Sequence, residues 1–444
     1  METVKIIPLG RLSPKLSHYL RDAQLEAARV WNYCCELHRE ARRDGARWPN
    51  RDDLQRATKG RFKLHSQTVQ MITHQLLDNV DTTRKLRREH PEMDMEYPWR
   101  AKGYFTLMWP AQAVCIQGSR VILPMGRGRK SIVFKGIDMP DGAGACKIVW
   151  NGGYELHVAV ERSAECCAPS NEIHACVDLG EIHQCAVATN TGDALVVPGR
   201  GIRALQRQRN KALGQILRKR SRCKKGSRRY RKLNFCLDRI GGCIERRVRD
   251  LKHKGTRKVI AFCQETGVSK LYIGDPNGVQ KKRCGRYHNQ RMSQWAFGQD
   301  MKYLEHKSLI AGIESFTGTE RGTSSRCPRC GHKQKVRGRV WLCRKCGFTG
   351  HRDIVGAVNM HPIAFDENVM FPARITYLRP GLTRDRGGMN IHRVAETSRN
   401  VVVAWTRATG NQILPGVALE SQRANHLPGK PTCRAGSREG LANT

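Results

Sequence analysis

Acidic residues are what this chain most lacks. It sets 39 Asp and Glu against 79 Lys and Arg, a formal charge of +40 and an isoelectric point near 10.2. Self-repulsion of that size is tolerated mainly where a polyanion is the working partner, so nucleic acid is the expected ligand. The chain also has no run of about 18 apolar residues, which excludes a helical membrane span. No basic amphipathic segment stands beside an apolar anchor, so a membrane-surface role is excluded with it. The opening METVKIIPLGRL lacks the apolar core of a secretion signal, and a cytoplasmic protein, on the nucleoid when bound to DNA, is expected. There is no internal repeat. Cysteine is plentiful at 18, but most stand singly or as adjacent pairs (Cys34 with Cys35, Cys166 with Cys167), which suits free thiols inside a cell.

What is present is enough for several folded domains. At 444 residues with 39% apolar content, two to four cores fit. The short strand signal VKIIPLGRL is followed by apolar residues at helical spacing from Ser13 to about Arg43 (Leu20, Leu25, Ala28, Val30, Trp31, Leu37), with Ser13 and Pro14 as N-cap and first helical residue. A second amphipathic stretch runs from Ser66 to His90. From about Pro98 to Glu161 short apolar runs alternate with Gly, Pro, Asn and Asp, the texture of a small β domain. From Ile173 strands alternate with helices, as in an α/β sheet domain. From about Ile363 to Thr444 strand-like scraps such as VVVAW sit among Gly, Pro, Arg and Asn, and a largely weakly ordered tail is expected.

The most specific signal is CPRCGHKQKVRGRVWLCRKCG. Cys327 and Cys330 precede Cys343 and Cys346 by twelve intervening residues, so two knuckles joined by a short hairpin can present four thiolates to one zinc ion. Four protein ligands leave no open position, so that zinc is structural. Catalysis is left to carboxylates. The second strong signal is the stretch from Arg203 to Lys258, with 22 Lys or Arg against Asp238, Glu245 and Asp250. Its leucines and isoleucines fall at helical spacing, which reads as a helical pair with an apolar and a cationic face, the latter tracking phosphates. Arg203, Arg207, Arg209, Lys211, Arg218, Lys219, Arg228, Arg229 and Lys254 are the expected contacts. Such contacts fix register without reading sequence.

Three acids stand where chemistry is expected. Asp178 ends an apolar strand in ACVDLGEIH, with Gly180 leaving room for a ligand; Glu320 ends another strand just before the zinc element; Asp353 follows just after it, near the start of a short helix in HRDIVGAVNM. A strand-end or helix-start Asp is often only a cap. Company changes that, because the ends of a zinc ribbon lie close together and bring Glu320 and Asp353 to one sheet edge, where Asp178 can join them. Three carboxylates at one sheet edge suit two Mg²⁺ ions about 3.5 to 4 Å apart, acting on a phosphodiester.

The order of these pieces resembles the TnpB proteins of insertion sequences and their descendants, the compact type V CRISPR effectors. VDLG with Asp178, GRGIRALQRQRNKA, RDLKHK, LYIGDPNG, TERGTSSRCPRCG with CRKCG, and HRDIVGAVN carry the resemblance. It spans about residues 1 to 362 and is dense from 173 to 360. It implies an α+β multidomain protein: a β-barrel-like wedge domain (1–12 and 96–170) with an inserted helical recognition lobe (13–95), a RuvC-like, RNase H-type nuclease domain (171–320 and 350–362) whose basic helices occupy 200–258, and an inserted zinc ribbon (321–349). Its partners would be a guide RNA and a target DNA duplex read beside a short flanking motif, with guide pairing supplying most of the specificity.

One departure bears on the site. Relatives mostly carry Glu-Asp at the end of the second RuvC strand, and this chain has Gly274 and Asp275. Successive strand residues face opposite ways, so Asp275 does not stand in for an acid at 274. A branch of the family supplies the missing acid shortly before the zinc cysteines, which implies Glu320 as the ligand and Asp275 as a supporting acid behind it. A second departure is Val355-Gly356 in place of Asn-Ala. The other readings left standing are an RNA-guided DNA-binding protein that does not cut, and a guide-independent nuclease or transposition factor. The aromatics of YPWRAKGYFTLMW suit core packing, with base stacking as the alternative.

Overall fold

The computed structural model describes residues 2–161, 172–276, 285–336, 338–381 and 401–404. Cys166 and Cys167, the end of the expected wedge domain, the Asn277-Gly278 turn and most of the expected tail lie outside the described residues. Strand β1 (Glu2–Pro8) leads to helix α1 (Pro14–Arg43), where the Ser13 hydroxyl accepts the Leu16 amide at 3.3 Å. Helix α2 (Arg51–Thr58), which no sequence signal announced, begins with a reciprocal capping box between Asn50 and Asp53. Helix α3 (Ser66–Glu89) packs on α1. Then come β2 (Leu107–Trp109), β3 (Cys115–Gln117), β4 (Arg120–Leu123), β5 (Ile132–Lys135), β6 (Ala143–Trp150) and β7 (Tyr154–Glu161).

These strands form two antiparallel sheets, ordered β1-β7-β6-β2 and β3-β4-β5. Strand β2 stops after three residues at Pro110, which has no N–H to extend a ladder. The helices pack on these sheets: Leu20, Trp31 and Ile72 share one core with Trp109, Val121 and Leu156. Trp109 is buried and Phe105 stacks on Trp31 at 4.7 Å, so those aromatics pack the core.

The second half is built on a mixed sheet ordered β12-β11-β8-β9-β10-β15-β16. Strands β8 (His174–Leu179), β9 (His183–Thr189) and β10 (Asp193–Pro198) form an antiparallel meander. Helices α4 (Arg200–Ser221) and α5 (Arg228–Glu265) cross over to β11 (Lys270–Asp275), parallel to β8. Helices α6 (Arg286–Gln294) and α7 (Phe297–Ile310) cross to β12 (Glu314–Thr319), parallel to β11. A small pair follows, β13 (Val340–Leu342) with β14 (Thr349–His351), then α8 (Arg352–Val358) and α9 (His361–Ala364). Every residue of β9 is buried, as a strand covered on both faces requires. One face packs under α5 and α7, the other under α8 and α9.

Residues expected to begin the tail belong to this sheet. Strand β15 (Arg374–Tyr377) runs parallel to β10, and β16 (Val401–Ala404) pairs with β15, so the sheet passes the expected boundary at 362. A pairing between segments some 180 residues apart leaves no local mark in the sequence.

Candidate functional site

Strands β8, β11 and β12 run in one direction and end together. Ile273 is paired with Val177, which brings Gly274 beside Asp178; Gly274 is paired with Gly318 and Asp275 with Thr319, one residue before Glu320. Side chains at this edge fit because two positions have none. A β-carbon on Gly274 would stand 2.9 Å from Glu320 Oε2 and 2.8 Å from Met360 Sδ. A β-carbon on Gly356, in the helix that carries Asp353, would run into Asp178 Oδ2. Bare backbone at 274 and 356 is therefore what lets the two carboxyl groups settle here, and the Gly356 departure noted in the sequence has its reason.

The acids at this edge perturb one another's titration. Burial above all, then the charges of Glu320 and Asp353, push the Asp178 carboxyl well above its ordinary range. Burial, then Asp275 and Asp353, raise Glu320 to about 7. Glu320 Oε2 is buried without a hydrogen-bond partner among the described residues. Asp353 goes the other way: burial raises it, but the hydrogen bond from His183 and the nearby Arg339 outweigh that and hold it below the usual value. Its Oδ2 lies 2.6 Å from His183 Nδ1, and Arg339 Nη1 reaches its two oxygens at 2.7 and 2.9 Å. Crowded, partly protonated carboxylates with an orphaned oxygen are the donor set that a hard divalent cation would relieve. Asp275 sits at the rim, close enough to Glu320 to raise it.

The sequence did not single out two further residues here. The ligand-capable atoms of His183, His351 and Asp353 all lie within 4.8 Å of one another, and the two imidazole centroids are 4.9 Å apart. Burial lowers His351 to about 4, so it is neutral near pH 7. Its place two residues before Asp353 was a signal; His183, 168 positions earlier, gave none.

The four cysteines converge as expected, with Cys327 Sγ 3.7 Å from Cys346 Sγ and Cys330 Sγ 3.6 Å from Cys343 Sγ. Zn–S bonds of about 2.3 Å in a tetrahedron put sulfurs roughly 3.8 Å apart, so the set fits zinc. The two knuckles repeat one backbone pattern: Gly331 N donates to Cys327 O and Cys327 N to His332 O, and Gly347 N donates to Cys343 O and Cys343 N to Phe348 O. The hairpin does not join the knuckles, contrary to expectation; β13 and β14 flank the second one. Trp341 Nε1 donates to Ser324 O, and Asn359 Nδ2 to the Thr323 and Arg326 carbonyls, which bolts the ribbon to α8 and so to Asp353.

The expected cationic residues divide into two groups. Arg207, Lys211, Arg218, Lys219, Arg228 and Arg229 lie on α4 and α5 with no acid opposite them among the described residues. Arg203 is paired with Glu181 at 2.9 Å and Lys254 with Asp250 at 2.8 Å, and Arg209 is partly buried. Trp295 is core, and His253 stacks on Tyr303 at 3.9 Å. Beneath them Lys252 and Asp300, both fully buried, pair at 2.8 Å, with Gln184 donating to Asp300 at 2.9 Å.

Two family models match the chain: OrfB_IS605, a probable transposase, over residues 157–280, and the Cas12f1-like TNB domain over residues 297–360. Among solved structures, a Cas12f1–sgRNA–target DNA complex is similar with a TM-score of 0.56 at 13% identity, over 78% of this chain and 83% of that one. A CRISPR-Cas12f ternary complex (TM-score 0.36, 15% identity, 79% and 85% covered) and CasPhi-2 bound to crRNA (0.40, 10%, 84% and 99%) are more distant. The first likeness is one of fold. No curated protein matches the chain.

Proposed function

We propose that this chain, whose family matches are to a probable transposase and a Cas12f1-like TNB domain, is a TnpB-like, RNA-guided DNA endonuclease that hydrolyses phosphodiesters at the Asp178, Glu320 and Asp353 edge. The observation that carries this is Glu320 over the bare Gly274, which supports a carboxylate from just after β12 taking the place of the one missing from the end of β11. In this reading the α/β half is the RuvC-like domain, and its meander followed by two parallel strands supports an RNase H-type sheet. The β domain and its helices serve as wedge and recognition lobe, and read the flanking motif.

The residues fit divalent ions. Asp178, Glu320 and Asp353 would hold two Mg²⁺, which when bound activate water and stabilise the leaving oxygen. The chain itself does the rest. Asp275 stands behind Glu320 as a supporting acid. Arg207, Lys211, Arg218, Lys219, Arg228 and Arg229 hold phosphates of the guide–target duplex, and base pairing reads the sequence. One zinc ion on Cys327, Cys330, Cys343 and Cys346 fixes the ribbon, and the ribbon fixes α8. The helices described include none long and apolar enough to cross a membrane.

The test is to express the protein with its flanking locus, sequence the co-purifying RNA, and assay cleavage of a matching plasmid with Mg²⁺ or with EDTA. Guide-dependent, metal-dependent cutting is expected. A second reading, guided binding without cleavage, draws on the absence of an acid at 274; bound RNA with no cutting under any divalent metal would select it.

A further inference from the structure

Next to the carboxylate cluster is a donor set of different character. His183 comes from the first residue of β9, His351 from the end of β14, and Asp353 from the first turn of α8, so a central strand, the ribbon and the helix each bring one side chain to a single point. Both imidazoles are 8% exposed. His183 Nδ1 is held 2.6 Å from Asp353 Oδ2, and His351 Nδ1 is buried with no hydrogen-bond partner among the described residues. A buried ring nitrogen without a partner costs free energy comparable to that of a broken hydrogen bond, and needs a reason. Packing alone does not supply it, since an apolar residue would fill the space without that cost.

Two imidazoles and one carboxylate are a poor match for Mg²⁺, which prefers oxygen donors and keeps much of its water. They are a good match for a borderline first-row ion such as Zn²⁺, Co²⁺ or Fe²⁺. Arg339 already places positive charge here, with its guanidinium on both Asp353 oxygens, and its side chain is 40% exposed.

We propose that His183, His351 and Asp353 form a transition-metal site, separate from the four-cysteine zinc site, at which an ion takes the place of the Arg339 guanidinium. The inference rests on the metal-dependent reading of this sheet edge and deepens it: beside the carboxylates that would hold Mg²⁺, the histidine-bearing side of Asp353 selects a nitrogen-preferring metal.

Untagged full-length protein with one zinc in its ribbon is titrated with Co²⁺ and followed by visible absorption. A further Co²⁺ should bind with the d–d bands of nitrogen and oxygen ligation and no thiolate charge-transfer band. His351→Gln and His183→Gln should each weaken Co²⁺ binding at least about tenfold. Arg339→Gln should strengthen it, a change that damaged folding would not produce. Co²⁺ binding that is unchanged by both histidine substitutions but lost in Asp178→Asn would overturn the inference, while leaving the oxygen-ligated nuclease site standing. Absence of any Co²⁺ band in the zinc-loaded protein would overturn it as well. Mg²⁺-dependent plasmid cleavage, run separately on the same preparations, reports on the nuclease reading alone.

Discussion

Glu320 and Gly274 are complementary: the carboxyl group from the end of one strand lies over the residue without a side chain at the end of the next, 2.9 Å from where a β-carbon would be. Met360 closes the same space from beyond α8 at 2.8 Å. An acid at 274 and the acid at 320 compete for one place.

Gly274→Ala is the smallest test of that competition. The added methyl must displace Glu320 or Met360, and we expect cleavage to fall by about 100-fold, the scale of losing one properly placed charge-stabilising group, with little loss of guide RNA binding. A filter-binding assay beside plasmid cleavage separates the two effects. Full activity in Gly274→Ala would mean that Glu320 has freedom to move that its packing denies.

The acid cluster also sets a pH dependence. The folded pKa of Glu320 is about 7 against an ordinary 4.5, so the folded protein binds more protons than the unfolded chain between those values. Its stabilising contribution is present below about pH 4.5 and is lost as pH rises through about 7; Asp178, also raised, works in the same direction. In zinc-replete protein without other divalent ions, Tm of wild type relative to Glu320→Gln should fall across that window. Added Mg²⁺ should restore it, by favouring the ionised carboxylates.

Zinc removal should act at a distance. Chelation, or Cys343→Ser, undoes the knuckles and with them the Asn359 ties that hold the ribbon against α8. We expect one zinc per chain by elemental analysis, and after its loss a lower Tm together with loss of cleavage, because Asp353 sits on that helix.

The cations without acid partners on α4 and α5 should behave as phosphate contacts. Replacing Lys211, Arg218 or Arg229 by Gln should weaken nucleic-acid binding irrespective of sequence, and each substitution should lower the salt slope by roughly 0.7 to 0.9. Arg203→Gln, which breaks the Glu181 pair, should lower Tm more than it changes that slope. Fluorescence anisotropy at several salt concentrations reads the difference.

What the sequence made legible was local. Helices α1 and α3 follow from spacing and a Ser-Pro start, the basic helical pair from its leucines, and the zinc knuckles from cysteine spacing with Gly331 and Gly347 in the left-handed conformation the turns require. The expectation that Glu320 and Asp353 meet rests on the ribbon between them returning on itself. His183 was invisible because its partners lie 168 and 170 positions away. Strand β15 escaped notice because a four-residue parallel pairing leaves no periodicity to find. Composition showed the charge of Lys254 and Arg203 but not the acids opposite them, Asp250 and Glu181.

Plasmid cleavage by the guide-loaded protein, comparing Glu320→Ala with Asp275→Ala, tests the central claim most directly. The arrangement of strand ends predicts that Glu320→Ala abolishes cutting while Asp275→Ala retains a measurable rate. Full cutting by Glu320→Ala together with a dead Asp275→Ala would contradict it.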